Sequence, residues 1–283
     1  MPFRPAPDGS AILNLPVPSV MWSQGGYAGG RPAPPTNLGD AMWADDSSHL
    51  CALTANPDHS ATVWIADGGG SWSKLVNAGT WVMNGGGPQI AACSWTSRRV
   101  VVRDTGGGNG DTATVWVFSM DGRLLTTLRT AAETWDIFTF STDASLYADY
   151  NESSGDTAVY DLAGNRVASL KGVFVEAFTW SRRYALVMDS RPDIGTRPYH
   201  NPYVMDWRTG QVLWRSPAGS IIDTGVFGDV ALQPYGDGIA LPVESTGCTG
   251  RVVRCDPALE VVSPAGAWQF RDSAYLTWSV NWP

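Results

Sequence analysis

The chain is poor in basic residues. Lysine and arginine together number 19 against 27 acidic residues, which gives a formal net charge of −8 at pH 7. Proteins that bind nucleic acid along the phosphate backbone need a basic surface, so the composition argues against a nucleic-acid partner. The sequence also contains no Cys-x-x-Cys pair and no cluster of histidine and cysteine. We therefore expect no zinc or other metal site, and no motif predicts a cofactor.

Long apolar runs are also missing. No segment approaches the roughly 20 apolar residues that cross a bilayer, so we expect no membrane partner. We also expect a monomer whose partner is a small-molecule ligand or substrate. Residues 1–20 lack a basic segment followed by an apolar one, the mark of a secretory signal. This predicts a cytoplasmic protein, with secretion after removal of a signal as the alternative. No apolar stripe of helical period occurs, which predicts a fold with very little helix.

Cysteine is scarce, with four residues in the chain. Cys51 and Cys93 fall in apolar stretches, and we interpret both as small buried hydrophobic residues. Cys248 and Cys255 flank the segment Arg-Val-Val-Arg. If that segment is an extended strand, its ends lie about 20 Å apart, beyond the reach of a disulfide. The sequence leaves the disulfide state open.

A repeat of about 40 to 50 residues is the main positive feature. Its clearest copies cover 138–170 and 178–214. Each copy begins with an apolar stretch that ends in Ser or Trp-Ser, and continues through a polar turn into a second apolar strand. A third and a fourth strand follow, joined by a turn that contains glycine. Four antiparallel strands per repeat are the signature of a β-propeller blade.

Division of the chain by this repeat predicts an all-β fold with a single β-propeller domain over 1–283. Five blades are predicted in succession, at about 40–79, 80–131, 132–173, 174–219 and 220–266. A sixth blade combines 267–283 with 10–23, and pairing of the two termini removes the open sheet edges. Six four-stranded blades is the preferred count, with five or seven as alternatives.

The first hairpin of the repeat resembles that of the PD40 or TolB-type repeats of bacterial propellers, and more distantly that of WD40 repeats. In the former the hairpin reads aromatic, Ser, Pro, Asp, Gly. Here the corresponding segments are 140–144 (Phe-Ser-Thr-Asp-Ala), 180–183 (Trp-Ser-Arg-Arg) and 95–98 (Trp-Thr-Ser-Arg), without the Pro-Asp-Gly core. The resemblance extends over about 40–266. It implies the fold and transfers no functional residue.

The long loops of the chain are predicted to lie on one face of the propeller, around the mouth of the central channel. The longest runs from Asp189 to Tyr203, and loops on a rigid scaffold commonly carry function. We predict His200 as the catalytic acid or base, and Tyr199 or Tyr203 as a proton donor or oxyanion partner. Arg191 is predicted to bind substrate. The alternative is a stiff surface loop without a catalytic role.

Connections between successive blades supply carboxylates to the same face. Glu133, Asp136 and Glu176 fall near the predicted channel mouth. Carboxylates close to one another acquire raised pKa values that suit acid–base chemistry, so these three are candidate partners of His200. The alternative is that they accept hydrogen bonds from neighbouring backbone N–H groups.

Aromatic residues are abundant, with 14 tryptophans. Most are predicted to pack between strands, whereas those nearer the loop face are candidates to line a pocket. The predicted substrate-binding residues, in addition to Arg191, are Trp43, His59, Trp81, Trp135, Phe174 and Trp268.

Together these features predict a metal-independent, cofactor-free enzyme of the lyase, cyclase or isomerase type. Its substrate would be a small, partly apolar molecule of the kind handled in natural-product biosynthesis, bound at the channel mouth. General acid–base chemistry would drive elimination or addition, isomerisation or cyclisation. The alternatives are a non-catalytic module that binds a protein or a glycan, and a glycoside hydrolase with a ring of carboxylates. A propeller fold does not choose among them.

Overall fold

The computed structural model describes part of the chain, and every regular element in that part is a β-strand. The described residues are 3–5, 11–14, 19–22, 38–66, 72–80, 88–104, 113–130, 138–151, 153–189, 199–217, 220–222, 230–233, 236–245 and 258–270. The predicted all-β fold is thereby confirmed. Two compact units can be distinguished, 1–147 and 148–283. A single domain over 1–283 stays a prediction.

The N-terminal residues form a small antiparallel sheet of three strands. These are β1 (Phe3–Pro5), β2 (Ala11–Asn14) and β3 (Ser19–Trp22), paired in chain order. The strands β2 and β3 coincide with the two predicted for the N-terminal half of the sixth blade. Of the predicted partner segment 267–283, residues 271–283 lie outside the described residues, so closure of a sixth blade stays a prediction.

Two four-stranded antiparallel sheets follow in the first unit. The first sheet contains β4 (Leu38–Trp43), β5 (Leu50–Ala55), β6 (Ser60–Ala66) and β7 (Trp72–Thr80). The second contains β8 (Pro88–Ser94), β9 (Arg99–Asp104), β10 (Ala113–Ser119) and β11 (Leu124–Thr130). Each strand pairs with the next along the chain, which is the meander that a propeller blade requires.

The third sheet and the fourth sheet have the same four-stranded order. The third sheet contains β12 (Phe138–Phe140), β13 (Leu146–Asn151), β14 (Asp156–Asp161) and β15 (Arg166–Leu170). The next strands are β16 (Val173–Phe178), β17 (Tyr184–Asp189), β18 (Tyr199–His200), β19 (Tyr203–Asp206) and β20 (Gln211–Arg215). The fourth sheet has the order β16-β17-β19-β20, and β18 belongs elsewhere. These sheets lie close to the predicted blade limits, although the blade count stays a prediction.

The fifth sheet differs from the predicted fifth blade. Its further strands are β21 (Ser220–Ile222), β22 (Ala231–Leu232), β23 (Ile239–Ser245), β24 (Ala258–Ser263) and β25 (Gly266–Phe270). The predicted blade ended at 266, but β25 continues beyond it and pairs with β24, with Trp268 opposite Val261. The tight turn at 264–265 returns the chain onto β24, so residues assigned to the sixth blade complete the fifth sheet.

A disulfide joins the first and second sheets. Cys51 of β5 and Cys93 of β8 are bonded, with Cα atoms 6.0 Å apart and a separation of 42 in the sequence. Both are buried in a hydrophobic cluster with Leu53, Val63 and Val100. Their burial was predicted correctly, and the structure shows that they are bonded, which the sequence had left open. The apolar pattern records only the surroundings of a cysteine, whereas bonding depends on which strands of successive sheets face each other.

The first hairpin of four sheets contains a residue with positive φ. These residues are Ser47 (57°), Arg98 (57°), Ala144 (52°) and Arg182 (62°). Each closes its turn by donating its backbone N–H to the carbonyl three residues earlier. The glycine of the PD40 motif would fill this position without strain, so the turn geometry is present although the glycine is not.

Glycine does occupy the turn between the third and fourth strands, as predicted. Gly122, Gly164 and Gly210 have φ values of 86°, 84° and 78°. At Gly122 a Cβ atom would lie 2.6 Å from the carbonyl oxygen of Leu75 in β7. This turn of the second sheet therefore approaches the first sheet so closely that a side chain does not fit.

Candidate functional site

Strand alternation places an acidic, a phenolic and a basic residue on one face of the fourth sheet. Side chains alternate between the two faces of a strand. Tyr184, Leu186 and Met188 of β17 pack in a hydrophobic cluster on one face. Asp189 therefore points to the other face. Tyr203 shares this face because it is the register partner of Val187.

Arg215 joins this group from β20, where it is the register partner of Tyr203. Its guanidinium Cζ lies 3.9 Å from the centroid of the Tyr203 ring, in the geometry of a cation–π contact. Tyr203 is 7% exposed, while Asp189 and Arg215 are both exposed to solvent. The phenol is thus covered by a cation that remains accessible to a ligand.

Asn201 completes the group and fixes the start of β19. Its Nδ2 donates a hydrogen bond of 3.2 Å to Oδ2 of Asp189, and its backbone has a φ of 53°, which asparagine tolerates better than most residues. The backbone N–H of Ser216 donates to the carbonyl of Pro202 at 2.9 Å. We call Asp189, Asn201, Tyr203 and Arg215 the Tyr203 cluster.

The protonation state of Tyr203 follows from its surroundings. Burial raises the pKa of the Tyr203 phenol above its ordinary value of 10.0, and the nearby negative charge of Asp189 adds to this effect. The positive charge of Arg215 acts in the opposite direction without cancelling it. At neutral pH the phenol therefore keeps its proton, and it can donate a hydrogen bond but cannot act as a base.

His200 and Tyr199 lie in an extended segment instead of a loop. They form β18, which pairs antiparallel with β21, Tyr199 opposite Ile222 and His200 opposite Ile221. The prediction of a loop throughout 189–203 is wrong for these residues, because the chain leaves the fourth sheet to add a short strand to the fifth. The structure describes the backbone of both residues, and the catalytic roles of their side chains stay predictions.

Two further predicted site residues belong to β16. Phe174 is 7% exposed and packs edge-on against Tyr150, with ring centroids 5.3 Å apart. It belongs to the hydrophobic cluster on one face of the fourth sheet, whereas Tyr203 lies on the other face. Glu176 is half-buried in the same strand. The burial of Phe174 favours a packing role, and the site roles of both residues stay predictions.

The remaining predicted residues are dispersed in the described parts of the chain. Trp43 is 6% exposed and packs with Leu50 in a cluster of the first sheet. His59 is half-buried in the turn before β6 and has a φ of 62°. Trp268 is 47% exposed on β25. The predicted residues that lie outside the described residues are Trp81, Glu133, Trp135, Asp136 and Arg191.

Sequence reasoning missed two members of the Tyr203 cluster, Asn201 and Arg215, and treated Asp189 only as the start of a loop. A signal for Arg215 existed. The glycine turn at Gly210 fixes the hairpin between β19 and β20, and counting outward from it brings Arg215 near Tyr203. A bulge between Val204 and Met205 shifts this register by one residue, so counting alone would not have given the partner.

Other kinds of site are not seen in the described residues. No group of three or more metal-ligating side chains is found among them. Within the same ranges no helix is long and apolar enough to cross a membrane.

Comparison by sequence found neither a matching family model nor a matching curated protein. By structure, 415 chains match, which identifies the fold as a common one. Hydrazine synthase from Kuenenia stuttgartiensis is 15% identical, with a TM-score of 0.52; the match covers 87% of this chain and 69% of that one. The β-propeller domain of the trilobed protease from Pyrococcus furiosus is 10% identical, with a TM-score of 0.51 and coverages of 93% and 74%.

TolB from Acinetobacter baumannii is also similar in structure. It is 11% identical, with a TM-score of 0.50, and the match covers 96% of this chain and 63% of that chain. At these identities the likeness concerns the fold alone. The chain therefore has a TolB-like β-propeller fold, in agreement with the resemblance of its first hairpin. Because its structural neighbours include a synthase as well as TolB, the fold does not decide whether it is an enzyme.

Proposed function

We propose that the chain acts on a small, partly apolar molecule at the Tyr203 cluster by general acid–base chemistry. The reaction would be an elimination or addition, an isomerisation or a cyclisation. The observation that carries this proposal is the Tyr203 phenol, kept protonated between a carboxylate and a guanidinium. A monomeric, cytoplasmic protein without a nucleic-acid or membrane partner belongs to the same proposal.

The chemistry would depend on a charge that develops on substrate oxygen. A phenol that keeps its proton can donate a hydrogen bond to an oxyanion as it forms, and the neighbouring Arg215 adds a positive charge. Such groups are most effective when the protein holds them in place before the reaction. Tyr203 meets this condition because it is 7% exposed and lies beneath Arg215.

Proton removal from the substrate is assigned to His200 in this proposal. Its backbone lies three residues before Tyr203, and the pairing of β18 with β21 holds it. Imidazole is the side chain best suited to proton transfer near neutral pH. Glu176 is retained as the second carboxylate candidate.

Exchange of hydrogen for deuterium tests this chemistry without knowledge of the natural substrate. Phenylpyruvate and 4-phenyl-2-butanone, which carry exchangeable protons beside a carbonyl group, would be incubated with the protein in D2O and followed by NMR. We expect exchange above the buffer rate, and a decrease of about 100-fold in Tyr203→Phe, the cost typical of losing one oxyanion donor. Tyr160→Phe, a half-buried tyrosine of β14, serves as the matched control. Exchange no faster than in buffer, or an unchanged rate in Tyr203→Phe, would contradict the proposal.

A second candidate is a non-catalytic module that binds a protein or a glycan. The observation in its favour is Trp268, which is 47% exposed on the last strand of the fifth sheet, since exposed tryptophan faces are typical of such surfaces. The third alternative, a glycoside hydrolase, needs two carboxyl groups on either side of the scissile bond. Of its three candidate carboxylates the structure describes Glu176, and this alternative stays a prediction.

A further inference from the structure

Two opposite charges flank the Tyr203 phenol without neutralising each other. Asp189 ends β17 and Arg215 ends β20, and both side chains are exposed. Within the described residues no ion pair joins them, although both face the same phenol. A site of this kind disfavours a ligand of a single charge, because that ligand meets one attractive and one repulsive group.

The spacing of the two charges suits a short ligand. The strand β19 lies between β17 and β20, and Asp189 lies two positions beyond Val187, the partner of Tyr203, whereas Arg215 pairs with Tyr203 itself. The main chains of Asp189 and Arg215 are therefore about 12 Å apart. Arg215 extends over the Tyr203 ring and shortens the distance between the charged groups. Two hydrogen bonds of about 2.8 Å, one at each end, leave room for a ligand whose cation and anion are separated by only a few bonds.

Hydrogen bonding at each end matches a different group. Asn201 occupies Oδ2 of Asp189, which leaves Oδ1 for an ammonium group. The guanidinium of Arg215 presents its N–H groups in one plane, and this fork fits a carboxylate in a bidentate manner. The protonated phenol of Tyr203 supplies one more donor beside it.

We infer that the Tyr203 cluster recognises a short zwitterion of the α-amino acid class, with the ammonium group on Asp189 and the carboxylate on Arg215. This inference rests on the proposed function, in that it names the substrate class of the same site. It assigns binding roles to Asp189 and Arg215 and leaves proton transfer to the groups already described.

Three probes that share one phenyl ring test this inference by calorimetric titration. L-Phenylalanine carries both charges, 3-phenylpropanoate carries only the carboxylate, and 2-phenylethylamine carries only the ammonium group. We expect L-phenylalanine to bind at least about tenfold more tightly than either of the others, the effect of one additional charge-assisted contact. Equal affinity of L-phenylalanine and either single-charge probe would overturn the inference, as would failure of L-phenylalanine to bind.

Variants assign each charge to its residue. Arg215→Gln should abolish the preference for L-phenylalanine over 2-phenylethylamine, and Asp189→Asn should abolish its preference over 3-phenylpropanoate. Arg208→Gln is the matched control, since Arg208 is also an exposed arginine stacked on an aromatic ring of the same sheet, 4.0 Å from Trp207. Equal effects of Arg208→Gln and Arg215→Gln would overturn the assignment.

The two proposals fail in different measurements. Selective binding of L-phenylalanine without any exchange of carbonyl-adjacent protons contradicts the acid–base proposal and supports the zwitterion site. Exchange that depends on Tyr203, with no preference among the three phenyl probes, supports the chemistry and overturns the zwitterion inference.

Discussion

Asp45 lies in the turn after β4 and Asp189 ends β17, and their carboxylates have different surroundings. Asp45 is 3% exposed and accepts hydrogen bonds from Ser94 Oγ (2.8 Å), the Trp95 N–H (2.6 Å) and the Thr96 N–H (3.1 Å). Asp189 is exposed and, among the described residues, accepts one hydrogen bond, from Asn201. The first carboxylate has its acceptor capacity used by the neighbouring sheet, whereas the second retains capacity for a ligand.

Two other aspartates resemble Asp45, because their carboxylates accept hydrogen bonds from a neighbouring sheet. Asp40 of β4 accepts the N–H of Ile90 in β8 at 2.8 Å, and Asp237 accepts the hydroxyl of Thr179 at 3.1 Å. Both contacts connect successive sheets within one unit. The sequence shows all four aspartates only as acidic residues, so the number of donors around each carboxylate is what separates a structural role from a candidate site.

Removal of the two carboxylates should give the largest difference. Asp45→Ala leaves three donors without their acceptor, and we expect the free energy of unfolding to fall by about 3 kcal/mol. Asp189→Ala should change it by about 0.5 kcal/mol or less, as exposed substitutions usually do. Urea unfolding of both variants measures this difference. Equal losses would show that the comparison of donor number is wrong.

Removal of the disulfide tests whether it and Asp45 stabilise the contact between the first and second sheets independently. Cys51 and Cys93 connect the same sheets, and replacement of both by alanine should lower the free energy of unfolding by about 3 kcal/mol. Combination with Asp45→Ala should give a loss that departs from the sum of the two, because neighbouring interactions couple. Strict additivity would mean that the carboxylate and the disulfide act independently.

A substitution in the turn between β16 and β17 should raise the free energy of unfolding by a smaller amount. Arg182 is exposed and has a φ of 62°, which glycine adopts more readily. We expect Arg182→Gly to raise the free energy of unfolding by about 0.5 kcal/mol. Arg183→Gly, the control at the neighbouring exposed position without a positive φ, should lower it instead. Thermal unfolding of both variants measures the difference, and equal shifts would contradict the explanation from φ.

Asp149 is a third kind of carboxyl group, and its replacement should change the free energy of unfolding least. Burial raises its pKa above the ordinary value of 3.8, so the folded protein binds this proton more tightly than the unfolded chain does. Stability from this group is therefore complete below about pH 3.8 and is lost as the pH rises through the raised pKa. Asp149→Asn should be more stable than the natural chain at pH 7, and the difference should shrink toward pH 4. A difference that does not vary with pH would contradict this.

Much of the fold could be predicted from the repeat. Glycines at matching positions, such as Gly164 and Gly210, mark the hairpins between third and fourth strands, and the apolar alternation between them marks the strands. Local patterns of this kind suffice because each sheet is built from strands that are neighbours in the chain. The short strand β18 was missed because the chain leaves the fourth sheet there to pair with β21 of the fifth sheet, and no local pattern records such pairing.

The candidate site was predicted less well than the fold. Tyr203 was identified because it follows a long, polar segment, but its partner Arg215 looked like an ordinary end of a strand. The bulge in β19 brings the two into register, and burial of the phenol then sets its protonation. Both are consequences of packing, which the order of residues alone does not contain.

The excursion of the chain through β18 has a mechanical consequence. The segment leaves β17 of the fourth sheet, pairs with β21 of the fifth, and returns as β19. Only two residues separate β18 from β19, so displacement of β19 from the fourth sheet should disturb the pairing of β18 with β21. We expect the backbone amides of the two sheets to exchange with solvent as one cooperative unit, because the segment leading into the Tyr203 cluster links the fourth sheet to the fifth.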